Sequence, residues 1–148
     1  MMKQLAVPIP INVWQDPQGD VVLYYSREGC NVSFGCWAAA GEPADYICEL
    51  GFNHAWAVRG VNSEYLPYEI QEQNRSCIYE VTDSEWLKHE SEQRSRSYPE
   101  WKKWDSRLYH HYVMSGHDNY VEVIAASFEE RLVSRREAGE LARLIDEA

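Results

Sequence analysis

His111 and Glu122 are the residues of this chain whose types and spacing could support catalysis. Two runs rich in β-branched and aromatic residues, 107–115 and 120–127, flank a loop at 116–119 whose Gly and Asn residues tolerate positive φ. This pattern predicts a β-hairpin in which His111 and Glu122 are diagonal neighbours on one face, within side-chain reach. A histidine beside a carboxylate can act as a general base with an orienting partner.

The register of this hairpin assigns its residues to two faces. With Ser115 opposite Tyr120, one face is predicted to lie on the core: Leu108, Tyr112, Met114, Val121, Val123 and Ala125. The other face is mixed and consists of Tyr109, His111, Val113, Ser115, Tyr120, Glu122 and Ile124. On a half-exposed face, a hydrogen bond at the solvent side explains the His111–Glu122 pair without catalysis, and we prefer that interpretation.

The other polar residues of the hairpin form no recognisable catalytic or metal site. His117 and Asp118 lie at the loop tip, on the order of 13 Å from His111 at the rise of a strand, so the three cannot share a metal ion unless the loop folds back. Ser115, His117 and Asp118 match a catalytic triad in composition only, because they crowd one turn. The cysteines form no C-x-x-C pair: Cys30, Cys36, Cys48 and Cys77. We therefore expect neither a metal ion nor a cofactor.

A second group of residues could bind a protein partner. Trp86, Trp101 and Trp104 cluster in a polar stretch, and tryptophan is a favoured anchor at interfaces. Trp101 and Trp104 share one face if this stretch is helical. The loop tip of the hairpin adds His117 and Asp118. The alternative is that the tryptophans simply cover the sheet.

The first half of the chain is predicted to form a β meander that leads to the hairpin. Strands are expected between turn signals, at 9–14, 21–26, 31–37, 55–61 and 77–81. Gly and Pro residues interrupt 38–53, which is predicted to be a loop with one short element at 46–50. The polar stretch 62–75 is predicted to be a long connection.

Two helices accompany the predicted sheet. The polar helix, about 84–97, follows a capping box that begins at Thr82. The amphipathic C-terminal helix, about 134–147, begins at a second capping box at Ser134 and has one apolar stripe: Ala138, Leu141, Ala142 and Ile145. The sequence therefore predicts one α+β domain over residues 1–148, an antiparallel meander sheet with both helices packed on one side.

Charge and the N-terminal sequence bear on partners and compartment. The formal net charge of −10 argues against binding nucleic acid or an anionic membrane, and it suits a basic partner. No window approaches the roughly 18 apolar residues of a membrane span, and the N-terminus lacks a signal-peptide pattern. These features predict a cytoplasmic protein with reduced, mostly buried thiols.

The second half of the chain resembles a group of small bacterial proteins of no established activity. The resemblance rests on a strand followed by a Ser-x-Trp helix start and on the hairpin: 78–87, His111-Tyr112-Val113, His117-Asp118, Tyr120 to Ala125 and Phe128-Glu129. It implies a bacterial, cytoplasmic origin and, by loose analogy, an immunity- or antitoxin-like role.

Two functions from different classes follow as hypotheses. The first is a non-catalytic intracellular binding protein with a protein partner, because the chain combines many Trp and Tyr residues with acidic charge and no catalytic motif. The alternative is a small enzyme or ligand-binding domain that uses the mixed hairpin face around His111 and Glu122. That alternative requires a cleft beside this face.

Overall fold

A computed structural model describes residues 3–71 and 76–147. These residues form eleven strands and four helices: β1 (Leu5–Pro10), β2 (Trp14–Gln15), β3 (Val22–Ser26), β4 (Gly29–Ala39), β5 (Glu42–Asn53), β6 (Ala57–Val61), β7 (Glu69–Ile70), β8 (Cys77–Val81), α1 (Glu85–Ser97), α2 (Trp101–Trp104), β9 (His110–Ser115), β10 (Tyr120–Ala125), β11 (Ser127–Ser134), α3 (Arg135–Ala138) and α4 (Glu140–Glu147).

The strands form two sheets. The first sheet has the order β6-β10-β9-β8-β1-β7, in which the short β1–β7 pair is parallel and the other pairs are antiparallel. The second sheet is antiparallel and has the order β11-β5-β4, with β2 and β3 both paired along the other edge of β4. The α+β class predicted from the sequence is confirmed, but the strands form two sheets instead of a single meander.

Two neighbouring chain segments pass from one sheet to the other. The first runs from β5 to β6 through His54, which has a φ of 54°. The second runs from β10 to β11 through Ala126, whose N–H donates to the carbonyl of Asn53 at 2.9 Å. Because β5 pairs with β11 and β6 pairs with β10, the two passages lie side by side and fold one sheet over the other.

The main core lies between the two sheets. Alternate residues of β4 point into it, since a strand directs successive side chains to opposite faces: Cys30, Val32, Phe34 and Cys36. The facing sheet contributes Ile78, Tyr112, Met114, Val121, Val123 and Ala125. The hairpin residues in this list are those predicted for the core, except that Leu108 precedes β9 and is 80% exposed.

The outer face of each sheet has its own cover. The segment 62–68 and helix α1 lie over the first sheet, where Tyr68 packs in a cluster with Tyr79, Val113 and Tyr120. Helices α3 and α4 lie over the second sheet, where Ile145 packs in a second cluster. The prediction that the polar helix and the C-terminal helix pack on one side of a single sheet is therefore wrong, because α1 covers one sheet and α3 and α4 cover the other.

The strands β4 and β5 replace the loop predicted at 38–53. They form a long hairpin that turns at Gly41, where a φ of 76° suits glycine. From Ala44 to Phe52, alternate residues of β5 point into the main core, and Ile47 on the opposite face packs in the cluster with Ile145. The loop was predicted because Gly41, Pro43, Gly51 and Asn53 are turn-forming residues, but only Gly41 lies at the turn.

The helix ends differ from the predicted ones in two places. Ser84, not Thr82, caps α1, and its side chain accepts the N–H of Leu87. Ser134 caps α3 as predicted, but Gly139 has a φ of 55° and divides the predicted C-terminal helix into α3 and α4.

None of the helices in residues 3–71 and 76–147 is long and apolar enough to span a membrane.

Candidate functional site

His111 and Glu122 contact each other as the hairpin register predicts. β9 and β10 pair with Ser115 opposite Tyr120, and His111 Nε2 lies 2.8 Å from Glu122 Oε1. Both residues are only 1% exposed. The prediction of a half-exposed mixed face is therefore wrong, because the segment 62–68 and α1 cover this face of the sheet.

Glu122 is a buried carboxylate with three hydrogen-bond donors. His111 and Tyr68 donate to Oε1, and Arg59, directly opposite in β6, donates to Oε2. Burial by itself would raise the pKa of Glu122. The hydrogen bonds from His111, Arg59 and Tyr68 outweigh it and lower the pKa to about 2. Glu122 is therefore ionised at neutral pH in spite of its burial.

The other nitrogen of His111 contacts a serine. His111 Nδ1 lies 2.7 Å from the hydroxyl oxygen of Ser84, which also accepts the N–H of Leu87 at 3.0 Å. With Nε2–H donating to the Glu122 carboxylate, a neutral ring leaves Nδ1 to accept the Ser84 hydroxyl hydrogen. The ring of Trp86 packs edge-on against the imidazole at 4.9 Å between centroids. The guanidinium of Arg59 lies over the ring of the same tryptophan, 4.1 Å from the Trp86 centroid.

An open cleft of about 560 Å³ lies beside this hydrogen-bonded chain. Helix α1, the end of β8 and the start of β9 form its walls. Ser84 and His111 lie at the wall, together with Lys88 and a second histidine–carboxylate pair, in which His110 Nδ1 is 2.7 Å from Glu80 Oε2. The cleft that the ligand-binding hypothesis requires is therefore present, and the polar helix forms one side of it.

A separate cluster holds the stretch between α1 and β9. Asp105 is buried and accepts hydrogen bonds from Tyr109 at 2.6 Å and from Arg107 at 3.0 Å, and it pairs with Arg94 at 2.9 Å. The hydrogen bond from Tyr109 is the largest cause that keeps the pKa of Asp105 well below its usual range. The guanidinium of Arg94 also lies among four aromatic rings, those of Trp56, Trp101, Trp104 and Tyr109, at 4.3–5.8 Å.

Beside this cluster, two aromatic side chains are exposed at the surface, Tyr98 and Trp104, and we call this pair the aromatic patch. Trp104 and Tyr98 are both 63% exposed, and their rings meet edge-on at 6.4 Å between centroids. Trp101 is buried and donates its indole N–H to Ser95. Of the three tryptophans proposed to bind a partner, Trp86 and Trp101 pack largely inside the protein, and Trp104 is at the surface.

His117 and Asp118 are exposed, but at the far end of the hairpin. β9 has six residues, so its two ends are about 17 Å apart, and the aromatic patch precedes its start. The backbone N–H groups of His117 and Asp118 donate to Gly19 O and Asp20 Oδ1. The structure therefore does not bring the loop tip and Trp104 into one site.

Several residues of these sites had no distinguishing signal in the sequence. Ser84 was visible only as part of a helix start, and its contact with His111 joins positions 27 residues apart. Arg59 and Tyr68 meet Glu122 only because β6 pairs with β10 and the segment 62–68 covers the sheet. Asp105 and Arg94 depend on the path of an irregular segment, which no residue pattern predicts.

Comparison with known proteins yields no matching family model, and no curated protein or solved structure is significantly similar to the chain. Within the described part of the chain, no three potential metal-ligating residues cluster together. The two features from which function can be argued are therefore the aromatic patch and the cleft beside Ser84 and His111.

Proposed function

We propose that this protein binds a protein partner through the aromatic patch, and that this role is not catalytic. The observation that carries the proposal is the exposure of Trp104. This large side chain is mostly in water, although the ion pair of Arg94 with the buried Asp105 lies directly beside it. A tryptophan exposed in the free protein is the residue type that most often dominates binding energy once a partner covers it.

The patch is held in place before any partner arrives. Arg94 lies against the Trp104 ring and pairs with Asp105, the residue that follows Trp104 in the chain. A side chain fixed in advance loses less conformational entropy on binding than a mobile one. This arrangement therefore favours a binding role over an accidental exposed residue.

The charge around the patch indicates an acidic partner surface. The segment 94–107 contains five cationic residues and two acidic ones, whereas the whole chain has a net charge of −10. Salt screens charges beyond about 8–10 Å at physiological ionic strength, so a docking partner is governed by the local charge. The basic partner that the net charge suggested is therefore replaced, in this proposal, by an acidic one.

The setting we propose is the bacterial cytoplasm, with an immunity- or antitoxin-like role as the biological form of this binding. The support is the resemblance of the second half to small bacterial proteins, together with the buried free thiols of Cys30, Cys36 and Cys48.

The test compares Trp104→Ala with Tyr24→Ala in co-purification from the source cells. Tyr24 is the matched control, because it is 60% exposed but belongs to β3 of the other sheet. We expect Trp104→Ala to weaken capture of a stoichiometric acidic partner by at least about 30-fold, the loss typical of a hot spot of 2 kcal/mol. Equal capture by both variants would refute the role of the patch.

The cleft beside Ser84 and His111 supports a second function, the binding of a small ligand. The specific observation is that the cleft adjoins His111, a buried and hydrogen-bonded histidine. Its volume of about 560 Å³ is within the range of common ligand pockets. Ligand-detected NMR with a small-molecule library tests it. A Leu87→Trp variant, which fills the cleft wall, should abolish the signals that a genuine cleft ligand gives.

A further inference from the structure

Ser84, His111 and Glu122 form one continuous hydrogen-bonded chain from the cleft to a buried charge. The distances are 2.7 Å from the Ser84 oxygen to His111 Nδ1 and 2.8 Å from His111 Nε2 to Glu122. This is the order of groups that activates a serine: hydroxyl, imidazole base and orienting carboxylate. The two imidazole nitrogens are exchanged relative to the usual arrangement, which leaves the direction of proton transfer the same.

The backbone presents Ser84 where a nucleophile benefits. The strand β8 ends at Val81, Asp83 turns the chain with a φ of 52°, and Ser84 then caps the thirteen-residue helix α1. Its oxygen accepts the Leu87 N–H at 3.0 Å. This bond and the positive end of the helix both favour negative charge on that oxygen, and so favour the alkoxide that forms as the proton leaves.

A purely structural role for this hydrogen-bonded chain explains fewer of its features than a role in activating Ser84. Capping a helix requires only an acceptor oxygen, and an exposed serine supplies it. Here the serine is 5% exposed, at the wall of the cleft, and the histidine that takes its hydrogen bond is oriented by an ionised carboxylate with two further donors. Trp86 and Tyr68 also pack edge-on against the imidazole, so the ring has one orientation.

We propose that Ser84 is a nucleophile for acyl transfer, with His111 as its general base and Glu122 as the positioning residue. This inference rests on the second proposed function, that the cleft takes a ligand. The substrate class is a small neutral or cationic ester or thioester, because three acidic residues, Glu80, Asp83 and Glu92, line the cleft against one lysine, Lys88, and this balance disfavours an anionic substrate.

The reaction takes place in two balanced steps. The Ser84 oxygen forms a bond to the substrate carbonyl carbon while its proton moves to His111 Nδ1, and the bond to the leaving alcohol or thiol breaks as that group takes the proton. Water then attacks the acyl group on Ser84, again losing a proton through Nδ1. The carboxylic acid is released, and the Ser84 hydroxyl is restored.

The experiment uses a fluorophosphonate probe, which phosphonylates activated serines, with the modified residue identified by peptide mass spectrometry. We expect modification at Ser84 and none at Ser91, which lines the same cleft on α1 and is the internal control. Ser84→Asn should abolish labelling while keeping the helix cap, since asparagine caps as well as serine. His111→Gln should slow labelling by roughly 10²–10⁴-fold, the usual contribution of a general base.

Hydrolysis of p-nitrophenyl acetate by the same variants gives the second measurement. Loss of turnover in Ser84→Asn with an unchanged thermal unfolding curve supports the proposal. Absence of labelling at Ser84 in the folded wild-type protein, or equal labelling of Ser91, overturns it. If labelling fails while cleft ligands still give NMR signals that Leu87→Trp abolishes, the acyl-transfer chemistry is wrong and the ligand-binding function stands.

Discussion

Replacing Glu122 with glutamine should destabilise the protein by an amount that can be worked out from its pKa. The pKa of Glu122 falls from an ordinary 4.5 to about 2 in the fold, because the donors His111, Arg59 and Tyr68 outweigh its burial. A tenfold change in proton affinity corresponds to about 1.4 kcal/mol. The charge therefore contributes about 3 kcal/mol to the free energy of unfolding near neutral pH.

The pH dependence of this contribution has a definite sign. The folded-state pKa lies below the unfolded one, so the stabilisation is complete above about pH 4.5 and is lost as the pH falls through about 2. Near pH 3, only about 1 kcal/mol should remain. Urea unfolding, followed by tryptophan fluorescence, measures the free energy of unfolding of wild type and Glu122→Gln. The difference between the two should be smaller near pH 3 than near pH 7.

Glu80→Gln is the matched control for this prediction. Glu80 also pairs with a histidine, His110, at 2.7 Å, but both side chains are about a third exposed. Exposed pairs contribute at most about 1 kcal/mol. If Glu122→Gln costs no more than Glu80→Gln, or if its cost is the same near pH 7 and near pH 3, Glu122 does not act as a buried charge in the folded protein.

Three further predictions concern packing and thiol reactivity. In urea titrations, Ile145→Ala should lower the free energy of unfolding by about 2–5 kcal/mol, because Ile145 is 4% exposed. Leu144→Ala, at a position 45% exposed, should lower it far less. Equal losses from the two changes would mean that α4 faces the other way. Gly116→Ala should cost about 1–3 kcal/mol, since a Cβ there lies 2.7 Å from the Asp20 Cα, whereas Gly60→Ala, with open space around it, should be nearly silent in the same urea titration. Burial raises the pKa of the thiols of Cys30, Cys36 and Cys48, to about 11 for the first two, so iodoacetamide near pH 8 should label these three residues only in urea. Fast labelling of any of the three in the native protein, located by peptide mass spectrometry, would contradict their burial.

The hairpin was predictable because its signal is local. Its strand residues, its loop and its register all follow from one stretch of about twenty residues, and the contact between His111 and Glu122 follows from that register. The environment of this contact was not predictable. Both faces of the hairpin are buried, one by the second sheet and one by α1 and the segment 62–68, and these are long-range contacts that a residue pattern does not specify.

The C-terminal segment shows a similar division between local and long-range information. The cap at Ser134 and the buried positions Ala142 and Ile145 agree with the helical pattern. The break at Gly139 was not predicted, because an isolated glycine is tolerated within a helical pattern. Arg135 lies in the first turn of α3, where a cation is unfavourable to the helix dipole, and it pairs with Asp146 and donates to the carbonyl of Ala44. Those partners are visible only once α4 lies on the second sheet.

Photo-cross-linking from position 104 tests the proposed binding function most directly. A benzophenone amino acid replaces Trp104 in one variant and Tyr24 in the control, and both are irradiated in living source cells. We predict one dominant cross-linked partner from position 104 that is acidic, is absent from position 24, and is lost when Arg96 and Lys102 are changed to glutamate. Cross-linking that is absent at position 104, or equal at both positions, would contradict partner binding through the aromatic patch.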